Sequence, residues 1–232
     1  MEKHPDQFAK FYKAENISLD IRLIDLGYKY FQTHFIGKTC LELGPATGYM
    51  TRLLVNDFEK VYAVEGSKNL LDQVPDFPNL VKIHSLFENY TPPFLFETLI
   101  MNHVLEHIEH PVELLQRIKK WLAPGGIFIV GVPNAKSFHR LAAVEMGLLK
   151  TEYQLNDRDK ELGHYRVYDL KTLKQDAVTA GFTVKAEGGT YLKFLANAQI
   201  EKIMDDKMLQ AYHELGKQFV PNCAEIFLIL TH

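Results

Sequence analysis

The run Ile127-Phe128-Ile129-Val130-Gly131-Val132 carries no polar side chain at any position. A strand with one wet face alternates apolar and polar residues. A run apolar throughout predicts a central strand with helices packed on both of its faces, as in parallel sheets. Little but a layered α/β fold can bury such a segment.

The rest of the chain keeps the rhythm that such a fold needs. Short apolar runs at 39–44, 60–66 and 80–85, and one ending at 99–102, alternate with stretches of helical period. Ile24, Tyr28, Phe31 and Phe35 recur at steps of four, three and four, which predicts an N-terminal helix ending near Gly37. A helix is expected over 49–58, and Ser67 is placed to cap another after the second strand. Pro111 suits the first turn of a helix, where its missing N–H costs nothing. Leu114, Leu115, Ile118, Trp121 and Leu122 give that helix one apolar face. Pro124-Gly125-Gly126 turns the chain into the central run. Beyond it, a helix over 169–180 ends at Gly181, a strand starts at Phe182, a helix lies within 197–218, and a strand closes the chain at 224–231. This order predicts a doubly wound α/β sheet with helices on both faces. The rhythm breaks only at 134–168, with helical material around Leu141, Val144 and Leu148 and a polar stretch at 156–161. We read residues 1–232 as one domain in which 134–168 is an inserted cap over one end of the sheet.

Composition removes several alternatives. Hydrophobic residues make up 47% and charged residues 24% of the 232, which argues against disorder. A net charge of -3 offers no general attraction for phosphate backbones, so no nucleic-acid partner is expected. MEKHPDQFAK has no apolar core of a secretory signal, and no apolar run approaches the roughly 20 residues that span a bilayer. Cys40 and Cys223 each sit in or beside an apolar run and read as core residues. A cytoplasmic location is therefore expected.

The strongest functional signal is the motif ELGPATG at 42–48, between a strand and a helix. Its small residues let a ligand approach the backbone at a strand end, where open α/β sheets bind nucleotides. Glu65 follows 23 positions after Glu42, at the end of the next strand. A carboxylate there can accept hydrogen bonds from both hydroxyls of a ribose, each worth roughly 1.5–3 kcal/mol. A nicotinamide dinucleotide is the rival ligand for an acidic residue so placed, but the turn lacks a GxGxxG pattern.

Four motifs together, ELGPATG (42–48), VYAVEGS (61–67), NHVLEHIEHP (102–111) and LAPGGIFIVGVPN (122–134), resemble the class I S-adenosylmethionine-dependent methyltransferases, in particular the small-molecule branch that includes ubiquinone-biosynthesis and sugar methyltransferases. The resemblance covers roughly 38–134, with a weaker match at Gly163-His164-Tyr165-Arg166. It implies a seven-stranded sheet, mostly parallel with the last strand antiparallel, and S-adenosyl-L-methionine as the cofactor, with S-adenosyl-L-homocysteine as product. It places Gly44, Ala46 and Gly48 under the methionine portion, Glu65 on the ribose, Ser85, Leu86 and Phe87 around the adenine, and Asn102 and His103 along the methionine side. Glu42, Pro45, Tyr49, Gly66 and Ser67 complete the implied set. Ala46 stands where the family has its middle glycine. Ser85 stands where many relatives have Asp on the adenine amine.

His103, His107 and His110 fall at i, i+4 and i+7 beside Glu106 and Glu109. Because His103 ends a strand and His110 precedes a helix, the three need not share a face, and no metal is expected. Methyl transfer gains chiefly from orientation, roughly 7–11 kcal/mol. A base is required only where the nucleophile loses a proton on attack. The candidates are His164, His107 and His139, with His164 preferred because 134–168 should cover the cofactor end of the sheet. Phe138, Tyr153, Tyr165 and Tyr168 either wall an acceptor pocket or form the core of the cap. Arg140, Arg158 and Arg166 either meet an anionic group or are surface charges. The expected reaction is methylation of an oxygen, or a nitrogen, of a small molecule or sugar-containing metabolite. The alternatives are a protein or peptide methyltransferase and a non-catalytic cofactor-binding module. A homodimer is left open.

Overall fold

The computed structural model describes residues 5–7 and 18–232. Of the opening MEKHPDQFAK, only the single 3-10 turn Pro5–Gln7 falls among them, and the remainder lies outside the described residues.

The described residues form a seven-stranded sheet. Its strands are β1 (Thr39–Leu43), β2 (Lys60–Glu65), β3 (Leu80–His84), β4 (Phe96–Asn102), β5 (Leu122–Pro133), β6 (Thr183–Thr190) and β7 (Glu225–Thr231), in the order β3-β2-β1-β4-β5-β7-β6. The pairs from β3 to β5 are parallel, and β7 runs antiparallel to both β5 and β6. The doubly wound sheet with its last strand reversed is therefore the observed fold.

Period two along the buried strands sorts the core into two layers. Leu41, Leu43, Leu99, Met101, Phe128 and Val130 face one side. There they meet α4 (Pro111–Lys119) through Leu114, Leu115 and Ile118, and α7 (Leu170–Thr179) through Leu173 and Ala177. The intervening Cys40, Ile100, Ile127 and Ile129 face the other side, against Tyr28 and Phe31 of α1 (Ser18–Gln32) and Leu54 of α2 (Thr51–Asp57). Each buried aliphatic or aromatic side chain contributes on the order of 1.5–3 kcal/mol, so this double layer holds the sheet rigid beneath the site. Cys40 and Cys223 are buried free thiols.

Several element boundaries differ from expectation. The N-terminal helix expected to end near Gly37 stops at Gln32, which leaves Phe35 beyond it. Leu122, expected on the helix after Pro111, falls in β5 together with the turn expected at Pro124-Gly125-Gly126. The helix expected over 49–58 begins only at Thr51, because Gly44, Ala46 and Gly48 take left-handed backbone angles and extend the turn. The helix expected within 197–218 is two, α8 (Asn197–Ile203) and α9 (Asp206–Gly216). Asp205 breaks it, because its side chain accepts the Met208 N–H and starts a new helix.

Residues 134–168 leave and rejoin the sheet at one place. An isolated parallel bridge joins Asn134 to Tyr168, and the Ala135 N–H donates to the Tyr168 carbonyl at 2.6 Å. Between these ends lie α5 (Phe138–Glu145) and α6 (Asp157–Leu162). Asn156 caps α6 in a reciprocal pair with Asp159, and Gly163 ends it at φ +85°.

Candidate active site

The strand order reverses direction at β1, since β2 and β3 extend one way and β4 and β5 the other. A crevice opens where the carboxyl ends of β1 and β4 diverge, the usual ligand position in such sheets. A cavity of about 1300 Å3 lies there.

The turn after β1 supplies its backbone. Gly44 has φ +76°, and a Cβ there would sit 2.4 Å from Val104 Cγ2, so only glycine fits. Ala46 has φ +48°, a strained angle for a residue with a side chain. Glu65 holds this turn in place. One carboxylate oxygen accepts the Ala46 N–H at 3.1 Å and the other accepts the Ser67 N–H at 2.9 Å. Burial nevertheless raises the Glu65 pKa, against these bonds. Glu42 is buried and accepts the Thr51 hydroxyl at 2.6 Å. Burial pushes its pKa up to about 7, with the Thr51 bond opposing and the nearby Glu65 adding to the rise.

Of the residues named from sequence, Glu42, Gly44, Pro45, Ala46, Tyr49, Glu65, Gly66, Leu86, Phe87, Asn102 and His103 line the cavity. Gly48, Ser67 and Ser85 are not in its lining. Gly48 packs its backbone against Val74, and Ser67 caps α3 (Lys68–Leu71) through the Leu70 N–H. The Ser85 hydroxyl donates to the Leu86 carbonyl at 2.9 Å.

The end of β4 begins a second group of polar residues. Asn102 lies across Gly131, where a Cβ would fall 2.1 Å from Asn102 Oδ1. His103 has φ +57°, and its Nε2 sits 3.0 Å from Glu225 Oε1. Glu225 also accepts the Thr190 hydroxyl. Burial would raise Glu225, but His103 and Thr190 outweigh it and hold the carboxyl below its ordinary value.

The 3-10 turn Leu105–His107 then carries Glu106 into the interior, where it is 1% exposed. Burial raises its pKa, and among the described residues neither carboxylate oxygen accepts a hydrogen bond. The inserted segment meets this turn directly. The Tyr165 N–H donates to the Glu106 carbonyl at 2.9 Å, and the Arg166 guanidinium donates to the carbonyls of Ile108 and Glu109. These bonds bring the His107 and His164 rings edge to face, with centroids 4.6 Å apart. His164 is buried, with Nδ1 3.5 Å from Asp159 Oδ1. Arg140 fixes Asp159 through Nη1 at 3.0 Å and donates from its other nitrogens to the carbonyls of Glu152 and Gln154.

Arg140 and Arg166 are thus internal braces, while exposed Arg158 borders the cavity. Tyr165 lines the cavity. Phe138 stacks on Phe194, Tyr153 donates to Asp169, and Tyr168 donates to Asp176, so these three hold the segment together. His139 also lines the cavity, but burial pushes its pKa down to about 3. His103, His107 and His110 do not converge among the described residues. Glu106, His107 and His164 do, each offering a donor atom within 4.8 Å of the others.

The profile of the methyltransferase domain family matches residues 16–187. The chain belongs to this family. A malonyl-acyl-carrier-protein O-methyltransferase from Halalkalibacterium halodurans is 24% identical over 182 residues, covering 66% of this chain and 67% of the relative. An S-adenosylmethionine-dependent methyltransferase structure from Mesorhizobium loti matches with a TM-score of 0.63 at 12% identity, over 90% of this chain and all of that one. One from Archaeoglobus fulgidus gives 0.62 at 17% identity, over 91% and 94%. The plantazolicin methyltransferase BamL, solved with S-adenosylhomocysteine, gives 0.62 at 14% identity, over 96% and 89%.

This methyltransferase uses S-adenosylmethionine, and its residues suit that cofactor. The Gly44 position leaves open the space that a Cβ would fill, and the Glu65 carboxylate borders the cavity at the end of β2. Glu106 and Asp159 were missed from sequence as site residues. Glu106 stood inside the quoted NHVLEHIEHP motif, and Asp159 inside the polar stretch at 156–161. Neither spacing shows that the two elements meet.

Proposed function

We propose that this methyltransferase transfers a methyl group to an oxygen of a small, hydroxyl-bearing molecule, in a pocket closed by residues 134–168. The observation that carries this reading is the pair of imidazoles, His107 and His164, in the same cavity as Glu42, Gly44 and Glu65. A pocket so equipped suits an acceptor that must lose a proton, as a hydroxyl does. The relative named for O-methylation of malonyl-acyl-carrier protein supports oxygen over nitrogen.

Bound in the cavity, S-adenosylmethionine supplies a methyl group on an activated sulfonium and leaves as neutral S-adenosylhomocysteine. The chain's own residues do the rest. Gly44, Pro45 and Ala46 hold the methionine portion, and Glu65 holds the ribose. Leu86 and Phe87 flank the adenine, and Asn102 and His103 border the methionine side. Asp159 orients His164, which with His107 faces the acceptor's proton. That proton must leave for each O–CH3 bond made, and the imidazoles are the groups placed to pass it on. Tyr165 and the segment joined at Asn134 and Tyr168 exclude water. Two unpaired buried thiols fit a reducing, cytoplasmic setting.

The test is formation of S-adenosylhomocysteine with a panel of sugars, phenols and acyl carboxylates, beside amines and a peptide mixture. Turnover with a hydroxylated small molecule, lost in His164→Ala, is the expected result. Turnover confined to amines or peptides overturns the assignment of the acceptor.

A further inference from the structure

We propose that Glu106, His107 and His164 form a binding site for a divalent transition-metal ion on the acceptor side of the cavity. The donor atoms of the three lie within 4.8 Å of one another. Ligands about 2.1 Å from a tetrahedral metal stand roughly 3.4 Å apart, so a small closing movement completes three corners. Two imidazoles and one carboxylate suit zinc, iron, manganese or cobalt rather than magnesium or calcium, which prefer oxygen.

The state of Glu106 points to a ligand independently of that geometry. A carboxylate 1% exposed, with neither oxygen accepting a hydrogen bond among the described residues and Oε1 still 3.8 Å from His103 Nδ1, is costly to bury. A cation between it and the imidazoles removes the cost. The surroundings of His164 fit as well. Asp159 at Nδ1 orients the ring, and Arg140 in turn fixes Asp159. A carboxylate behind a histidine is the recurrent outer support of metal sites, since it sets the tautomer that leaves the far nitrogen to ligate. His107 and His164 come from segments far apart in sequence, held together by the Tyr165–Glu106 backbone bond.

The inference deepens the proposed reaction and rests on it for the role of the ion. With the fourth corner open to the cavity, the ion takes a hydroxyl oxygen of the acceptor and lowers its pKa, as such ions do for water. With the ion bound, His107 and His164 are its ligands and no longer take the proton, which passes to solvent. The oxygen keeps the electron pair that forms the new O–C bond as the sulfonium S–C bond breaks. No oxidant or reductant enters.

The experiment is titration of the tag-free, chelator-treated full chain with Co2+ and with Zn2+, following Co2+ absorption and metal content after dialysis. One ion per chain is expected, bound at least tenfold more weakly in His107→Ala, His164→Ala and Glu106→Gln. His110→Ala, altered at an exposed neighbour, should bind as the unaltered chain does. The affinity for S-adenosylhomocysteine, measured on each variant, shows that it is folded. Absence of saturable binding, or binding indifferent to His107 and His164, overturns the site. If the metal-free chain still methylates hydroxyls, the ion's role is overturned and the proposed reaction stands. If the ion binds but no hydroxyl acceptor turns over, the site stands and the proposed reaction falls.

Discussion

The backbone N–H of Ala46 donates to Glu65 Oε2 across 3.1 Å, tying the turn after β1 to the end of β2. The residue expected on the ribose therefore also holds the turn expected under the methionine portion. The proposed ribose contact and the order of the turn thus share one carboxylate.

Glu65→Ala should weaken S-adenosylhomocysteine binding at least tenfold, about 1.4 kcal/mol. It should also lower the stability of the ligand-free protein by about 1–3 kcal/mol, because the Ala46 and Ser67 N–H groups lose their acceptor. Titration calorimetry and urea denaturation read the two effects. Unchanged affinity contradicts the ribose placement.

Glu42 predicts a pH dependence. Its pKa rises from 4.5 to about 7 on folding, so the folded state holds the proton more tightly. The contribution to stability is complete below about pH 4.5 and is lost as pH rises through 7, a change of about 3 kcal/mol. Glu42→Gln carries no such titration. Its stability relative to the unaltered protein should improve by about 2–3 kcal/mol between pH 4.5 and pH 8 in urea melts. Parallel profiles contradict this.

Gly44 and Ala46 differ in what they tolerate. Gly44→Ala drives a Cβ to 2.4 Å from Val104 at φ +76° and should abolish measurable cofactor binding, with a stability loss of about 2 kcal/mol or more. Ala46→Gly relieves the angle at φ +48° and should leave stability unchanged or raise it by up to about 1 kcal/mol. Thermal melts and cofactor titration distinguish the two variants.

Asp159 predicts sensitivity to acid. Burial alone would raise its carboxyl, but His164, the Asn156 N–H and Arg140 pull it from 3.8 down to about 2. Its stabilisation is present above about pH 4 and is lost as pH falls toward 2, about 2 kcal/mol in all. Asp159→Ala at neutral pH leaves Arg140 buried without its carboxylate and should cost about 3–5 kcal/mol. Denaturant midpoints check both statements.

The histidines should separate by rate. His164→Ala is expected to lower kcat by about 10^2–10^4 with the preferred acceptor. His139, with a pKa pushed down to about 3, is too weak a base to take a proton near pH 7. His139→Ala should retain kcat within a few fold.

The sheet was legible because Ile127 to Val132 is apolar at every position, a pattern that two helical layers cover, and because shorter apolar runs alternate with helical stretches before it. The turn at 42–48 was legible because its small residues and Glu65 keep a fixed spacing along one β-α-β unit. The pairing of Glu106 with His164 was not. It depends on residues 134–168 folding back through the Asn134–Tyr168 bridge and on the Tyr165–Glu106 bond. Spacing within one segment carries no information about such contacts. The same limit explains Arg140 and Arg166. Each reads in sequence as either an anion contact or a surface charge, yet each meets backbone carbonyls supplied by a distant turn or loop.

The most direct test of the account is calorimetric titration of the purified chain with S-adenosylhomocysteine, with NAD as the control ligand and Glu65→Ala beside the unaltered protein. One site of micromolar affinity or better is expected, with no heat from NAD and at least a tenfold loss in the variant. A folded chain that ignores S-adenosylhomocysteine, or that binds it equally well without Glu65, contradicts the site described at the β1–β4 crevice.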